Sequence, residues 1–135
     1  MQTFLPYESF VESARCLDRQ RLGKQRVEVL QLLKAIRYGG GWSNHPAAKM
    51  WQHCENALVL YGGVICAEWI NRGYKDNTLP RIAQCIILDI PAIMPAWLGN
   101  AEFHLSHQSN LVRKLPTHYR QYFPDVPDNL PYVWP

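Results

Sequence analysis

The chain has 135 residues, of which 47% are hydrophobic and 19% are charged, a composition typical of one globular domain. No apolar stretch approaches the roughly 20 residues that a membrane-spanning helix needs, and we expect no signal peptide, because the first residues lack a basic region followed by an apolar stretch. We therefore expect a single cytoplasmic domain over residues 1–135. The four cysteines form no CxxC pair, so free thiols packed in the interior are expected.

The basic residues are unevenly distributed, although the net charge is only +3. Seven of the fourteen lysines and arginines lie in the first 37 positions, and three more (Arg113, Lys114 and Arg120) cluster near the end. A concentrated basic surface can bind a polyanion that the net charge alone would not indicate.

The first forty residues predict an extended segment followed by two helices. Residues 1–7 are expected to be extended, because Pro6 disfavours a helix before it. The capping box at residues 9–12 predicts a short helix that ends near Cys16. Asp18 then caps a long helix, which the glycines at 39–41 end.

The long helix is amphipathic. One side carries an apolar stripe suited to a core: Leu22, Val29, Leu33 and Ile36. The neighbouring face carries polar side chains: Arg21, Lys24, Gln25, Glu28 and Gln31. Glu28 is the single carboxylate on that face, beside the apolar edge and among cations and amides.

The remaining pattern is also helical. Pro46 begins a helical region that reaches Arg72, with a break near His53 or Gly62 left open, and Gly73 closes it. A shorter helix is predicted over residues 81–88, an irregular stretch over 89–99, and a last helix from Asn100 to about residue 114. An irregular aromatic tail follows. Since no strand pattern is present, the fold class is all-α, with about three main helices joined by long loops.

Glu28 has two interpretations. As an ordinary surface carboxylate it would pair with Lys24 or Arg21 and contribute a few tenths of a kcal/mol. As a functional group it would act as an acid, a base or an electrostatic stabiliser next to an apolar edge.

The other candidates are also ambiguous. His45 stands at a helix start that attracts anions, or belongs to a simple cap made by Asn44 or Ser43. His104 and His107 share a helix face, where they contact phosphates or are ordinary surface histidines. The tail suits phosphate contact and base stacking, or packs on the core: His118, Tyr119, Arg120 and Tyr122. No metal site and no nucleotide-cofactor motif is expected.

Several motifs occur together in a recognisable order. They are residues 17–22 (LDRQRL) followed by Glu28, residues 44–46 (NHP), residues 72–74 (RGY), residues 107–109 (HQS) and residues 114–120 (KLPTHYR). This ordered set resembles the phage-type pyrimidine-dimer DNA glycosylase/AP lyase family.

The resemblance implies a compact all-α monomer that binds damaged duplex DNA without a cofactor. In such enzymes a free α-amine attacks the sugar C1′, expels the base and forms an imine, and β-elimination then nicks the strand. An α-amine, with a reference pKa of about 7.7–8.0, suits this task. In the family a single carboxylate near the start of the long helix stabilises the cationic sugar and handles protons. The resemblance makes Glu28 this carboxylate, and the Met1 amine is then the expected nucleophile. The DNA-binding residues predicted with it are Arg19, Arg21, Lys24, Arg26, His45, His107, Arg113, Lys114, His118, Tyr119 and Arg120.

The sequence departs from the family pattern at four places, one of which is Arg21, where the family has a histidine. Residue 2 is Gln rather than a small residue, so Met1 is expected to be retained. Val27 and Gln31 stand where the family keeps phosphate-binding arginines. Three alternatives therefore stay open: a glycosylase for another modified base that uses water activated by Glu28, a non-enzymatic DNA-binding domain, and an imine formed by Lys24.

Overall fold

The computed structural model describes all 135 residues and contains helices but no strand, which confirms the all-α prediction. The helices are α1 (Phe10–Cys16), α2 (Arg19–Tyr38), α3 (Pro46–Lys49), α4 (Glu55–Asn71), α5 (Leu79–Ala83), α6 (Ala101–Lys114) and α7 (Pro116–Tyr119), with a 3-10 turn at Gly41–Asn44. The three longest are α2, α4 and α6. No helix combines the length and the apolar character needed to cross a membrane.

The core forms mainly where α2 packs on α4. Leu22 and Val29 of the predicted stripe are fully buried and Leu33 is nearly so, which confirms this face of α2 as the core face. Gly62 lets the two helices approach, because a Cβ atom there would lie 2.7 Å from Cγ1 of Val29. The position of α2, and with it that of Glu28, is thus fixed by close packing.

The predicted boundaries hold for α1, α2 and α6 within the usual one or two residues. The break in the 46–72 region occurs at His53, whose φ of 67° is incompatible with a helix, while Gly62 remains helical. The prediction of a helix over residues 81–88 is wrong beyond Ala83. The Asn56 side chain bonds to the backbone of Ile87 and Ile90, and these contacts hold that segment in an irregular conformation.

The tail also differs from the prediction, because Pro116–Tyr119 forms one helical turn. Proline suits the first turn of a helix, where its missing N–H needs no partner. After this turn the chain is irregular, as expected, and it lies against α6. Ser109 Oγ accepts a hydrogen bond from the Leu130 N–H at 3.0 Å, and Ser106 Oγ accepts one from the Val133 N–H at 3.2 Å.

The N-terminal segment is extended, as predicted, and it too is held by α6. The Leu5 N–H donates to Nδ1 of His107 at 2.9 Å, and Gln108 Nε2 donates to the Pro6 carbonyl at 2.8 Å. His104 Nδ1 lies 2.8 Å from the Leu5 carbonyl. Helix α6 therefore fixes both ends of the chain, and the first residues are held beside α2.

Candidate active site

A polar cleft of about 300 Å³ opens where the first residues of the chain lie along α2. Its lining consists of Met1, Gln2, Phe4, Gln20, Arg21, Lys24, Gln25, Glu28 and Lys114. Four of the five residues predicted for the polar face of α2 line this cleft, namely Arg21, Lys24, Gln25 and Glu28. Glu28 is the only carboxylate in the lining. The cleft thus joins the chain start to the candidate carboxylate.

Glu28 is held firmly, with 9% of its surface exposed. Its Oε2 accepts a hydrogen bond from Gln25 Nε2 at 2.9 Å and lies 3.5 Å from the Gln2 backbone nitrogen. Its Oε1 is 3.7 Å from Nζ of Lys24, whose side chain is largely exposed. One oxygen is therefore anchored, and the other lies near an exposed cation that lines the cleft.

Gln25 connects the carboxylate to the N-terminal segment. Its Nε2 also donates to the Gln2 carbonyl at 2.7 Å, and its Oε1 accepts from the Phe4 N–H at 3.0 Å. The Tyr61 hydroxyl lies 2.8 Å from the same Oε1. Both N–H groups of this buried amide donate and its oxygen accepts from Phe4, while the single Tyr61 hydroxyl proton is shared between that oxygen and the Phe4 carbonyl at 2.7 Å, so Gln25 fixes the first residues relative to Glu28.

The charges of the N-terminal amine and of Glu28 both act on His45. Burial first, and then the positive charge of the amine, lower the pKa of His45, while Glu28 acts in the opposite direction. The His45 ring has a structural task as well, because its Nδ1 accepts from the Ala47 N–H at 3.0 Å and so caps α3. The cap is made by His45 itself and not by Asn44 or Ser43.

Three cations line this cleft, Arg21, Lys24 and Lys114, and Arg113 precedes Lys114 on α6. Partial burial first, and then repulsion from Arg21, Arg113 and Lys24, lower the pKa of Lys114. Asp18 pairs with Arg21 at 3.2 Å, and Glu28 is close to Lys24. The positive charge is thus concentrated enough for like charges to repel one another, which favours binding of a polyanion.

Two other arginines predicted to bind DNA lie on α2 outside the cleft lining. Arg19 is exposed, with its guanidinium 5.9 Å from the centre of the Tyr74 ring. Arg26 is already engaged, since it pairs with Asp76 at 2.5 Å and lies 4.3 Å from the centre of the Trp69 ring.

The structure corrects the prediction of direct DNA contacts for His107 and Tyr119, because both side chains are fully buried. His107 accepts the Leu5 N–H and packs against Phe103. The Tyr119 hydroxyl donates to the Asp18 carboxylate and accepts the Asp18 N–H. Their tasks are to hold the N-terminal segment and the start of α2.

His118 and Arg120 are half-buried and bonded within the protein. His118 Nε2 lies 2.8 Å from the Cys16 carbonyl, and the Arg120 guanidinium donates to the Val126 carbonyl at 2.6 Å. No three His, Cys, Asp or Glu side chains are arranged to hold a metal ion.

The fold and the cleft define a small helical domain with one anchored carboxylate in basic surroundings. Residues 1–81 match the model of the family described as pyrimidine dimer DNA glycosylase. Because this match covers more than half of the chain, the protein belongs to that family and is a DNA repair glycosylase. No curated protein and no solved structure matches the chain.

The matched residues contain the whole cleft lining except Lys114, which α6 contributes. Helices α6 and α7 and the tail lie outside the match, so the resemblance at residues 107–109 and 114–120 stays a prediction. Sequence reasoning missed the role of Gln25 as an anchor. Its position next to Glu28 on the polar face was the only signal, because its other partners are distant in sequence.

Proposed function

We propose that the protein excises a damaged pyrimidine from duplex DNA and cuts the resulting abasic site through an imine on the Met1 α-amine. The observation that carries this proposal is that Met1 and Glu28 line one cleft, with Gln25 bonded to both the carboxylate and the backbone of residue 2. An amine nucleophile and a carboxylate side by side are what the imine mechanism requires.

In the first step the amine nitrogen bonds to C1′ of the sugar. The bond from C1′ to the base breaks, and its electron pair leaves with the base, which takes up a proton. Glu28 stabilises the positive charge that develops on the sugar. Loss of a proton from nitrogen then opens the sugar ring to an imine, with O4′ taking the electron pair and a proton.

In the second step a proton leaves C2′, and the C3′–O bond to the phosphate breaks. This β-elimination cuts the strand, and water releases the protein from the imine. We expect Glu28 to accept and return these protons, which is supported by the anchoring of Oε2 on Gln25 and by the position of Oε1, 3.7 Å from Nζ of the exposed Lys24.

DNA binding would rest on the cations around the cleft: Arg21, Lys24, Arg113 and Lys114, with Arg19 further along α2. Val27 is 47% exposed and Gln31 is exposed, so the arginine contacts that the resemblance implies at those positions are missing. We expect the four cations to supply the phosphate contacts, and the protein to act as a monomer on duplex DNA without a cofactor. Because the salt dependence of DNA binding grows with the number of phosphate contacts, binding should weaken as salt is raised, but less steeply than it would with arginines at positions 27 and 31.

The test is borohydride reduction of the untagged protein mixed with duplex DNA that carries an abasic site. A covalent adduct is expected from the wild type. Glu28→Gln, which keeps the size of the side chain but not its charge, should slow strand cleavage by about 10²-fold or more. Glu102→Gln changes an exposed glutamate outside the cleft lining and should behave like the wild type.

Two results would contradict the proposal. Base release without any adduct would favour water activated by Glu28, and salt-dependent binding without any base release would favour a non-enzymatic DNA-binding domain.

A further inference from the structure

The side-chain amide of Gln2 has a hydrogen-bond donor that no protein group accepts. Its oxygen accepts from the Thr3 N–H at 2.9 Å, whereas its nitrogen Nε2 is buried and has no partner. The contact with Thr3 identifies the oxygen end of the amide, because the reverse orientation would place donor against donor. Buried donors in native proteins are nearly always paired, so this one requires an explanation.

Its location indicates a functional explanation. Gln2 is 5% exposed, lines the same cleft as Glu28 and directly follows Met1. Its backbone is fixed on both sides, since its carbonyl accepts from Gln25 and its N–H faces Glu28 Oε2 at 3.5 Å. The unpaired donor therefore belongs to a residue whose backbone is fixed in the lining of the proposed active site.

The chemistry of the cleft indicates which group of a bound DNA substrate would accept a hydrogen bond from Gln2 Nε2. Phosphate oxygens are suited to the surrounding lysines and arginines, and Glu28 itself offers only acceptors. A neutral, rigid amide donor is suited to a carbonyl oxygen of the nucleobase. When the bond between C1′ and N1 of a pyrimidine breaks, the electron pair spreads from N1 onto the adjacent carbonyl oxygen, O2. Fixed donors aimed at such developing charge accelerate reactions strongly in water-poor sites.

We propose that Gln2 Nε2 donates a hydrogen bond to O2 of the pyrimidine being excised, an inference that rests on the function proposed above. As the Met1 amine bonds to C1′ and the base departs with the electron pair, this N–H stabilises the negative charge until the base takes up a proton. An abasic site has no base, so Gln2 has no such partner during β-elimination. Gln2 thus serves base excision and not strand cleavage.

The test is Gln2→Met, which keeps the length of the side chain but removes the free donor together with the oxygen that accepts the Thr3 N–H. Methionine at position 2 is also too bulky for efficient removal of Met1, so the N-terminus is unchanged. Base excision is measured under single turnover as alkali-labile sites in ultraviolet-irradiated duplex DNA. Strand cleavage is measured separately on duplex DNA with an abasic site, and thermal melting monitors the fold. Gln52→Met, at an exposed position outside the cleft lining, is the matched control.

We expect Gln2→Met to slow base excision by about 10²-fold, as loss of one preorganised donor does elsewhere. Cleavage at the abasic site should match the wild type, and the melting temperature should fall by only about a few degrees, because methionine also removes the oxygen that accepts the Thr3 N–H. An equal loss in both reactions, or no loss in either, would overturn the inference while leaving the proposed function standing. A wild type that forms no imine with abasic DNA would overturn both.

Discussion

The buried His107 predicts that the protein loses stability as the pH falls below the usual range of histidine titration. Burial first, and then the nearby His104, lower the pKa of His107 from 6.5 to about 3. The unfolded chain binds a proton at His107 below about pH 6.5, while the folded protein stays unprotonated there until about pH 3. The stability contributed by the neutral ring is therefore lost progressively between these two values.

The magnitude follows from the size of the shift. Each pH unit below the unfolded pKa costs about 1.4 kcal/mol, so the loss at pH 5 is about 2 kcal/mol. The reason is structural, because Nδ1 must stay unprotonated to accept the Leu5 N–H and Nε2 has no partner. His45, whose pKa is also lowered, contributes in the same direction. Asp18 and Asp76 have lowered pKa values and contribute only at more acidic pH.

The assay is urea unfolding of the wild type and of His107→Asn at a series of pH values. Asparagine offers an oxygen near the position of Nδ1 but does not titrate. The difference in unfolding free energy between the two proteins should shrink or reverse by about 2 kcal/mol on going from neutral pH to pH 5. A difference that does not change with pH would refute the reasoning, since His45 and the carboxylates are present in both proteins.

Two further predictions concern the packing that positions α2. Gly62→Ala should lower the unfolding free energy by about 1–3 kcal/mol, because the added Cβ would lie 2.7 Å from Val29 Cγ1. Gly63→Ala should raise the unfolding free energy by up to about 1 kcal/mol, because the added Cβ would meet no other atom. Equal effects of the two alanines in urea unfolding would argue against close packing at Gly62. Asp76→Asn should cost about 3 kcal/mol, because it leaves Arg26 without its buried partner, whereas the exposed control Asp125→Asn should cost little. A loss at Asp76 no larger than that of the control would show that the ion pair contributes nothing.

The parts of the fold that sequence predicts are those with local signals. The Asp18 cap, the glycine after Tyr38 and the stripe through Leu22 and Val29 define α2 within a short stretch of chain. The early end of α5 has no such signal, because it depends on contacts between Asn56 and the backbone 31 to 34 residues away. Local patterns cannot reveal a side chain that interrupts a helix from so far along the chain.

In the candidate site, too, contacts between residues close in sequence could be predicted, whereas contacts between distant residues could not. Glu28 and Lys24 could be predicted as neighbours from helical spacing alone. The burial of His107 could not, because its partner Leu5 is 102 residues away. The unpaired nitrogen of Gln2 likewise follows only from how the first residues lie against α2.

The central claim is that the α-amine of Met1 is the nucleophile that works beside Glu28. Its most direct test is to digest the borohydride-trapped protein–DNA adduct with trypsin and to map the modified peptide by mass spectrometry. We predict that the sugar remnant is attached to the α-amine of the N-terminal peptide, residues 1–15. Attachment to the side chain of Lys24 or Lys114, with an unmodified N-terminus, would contradict the account.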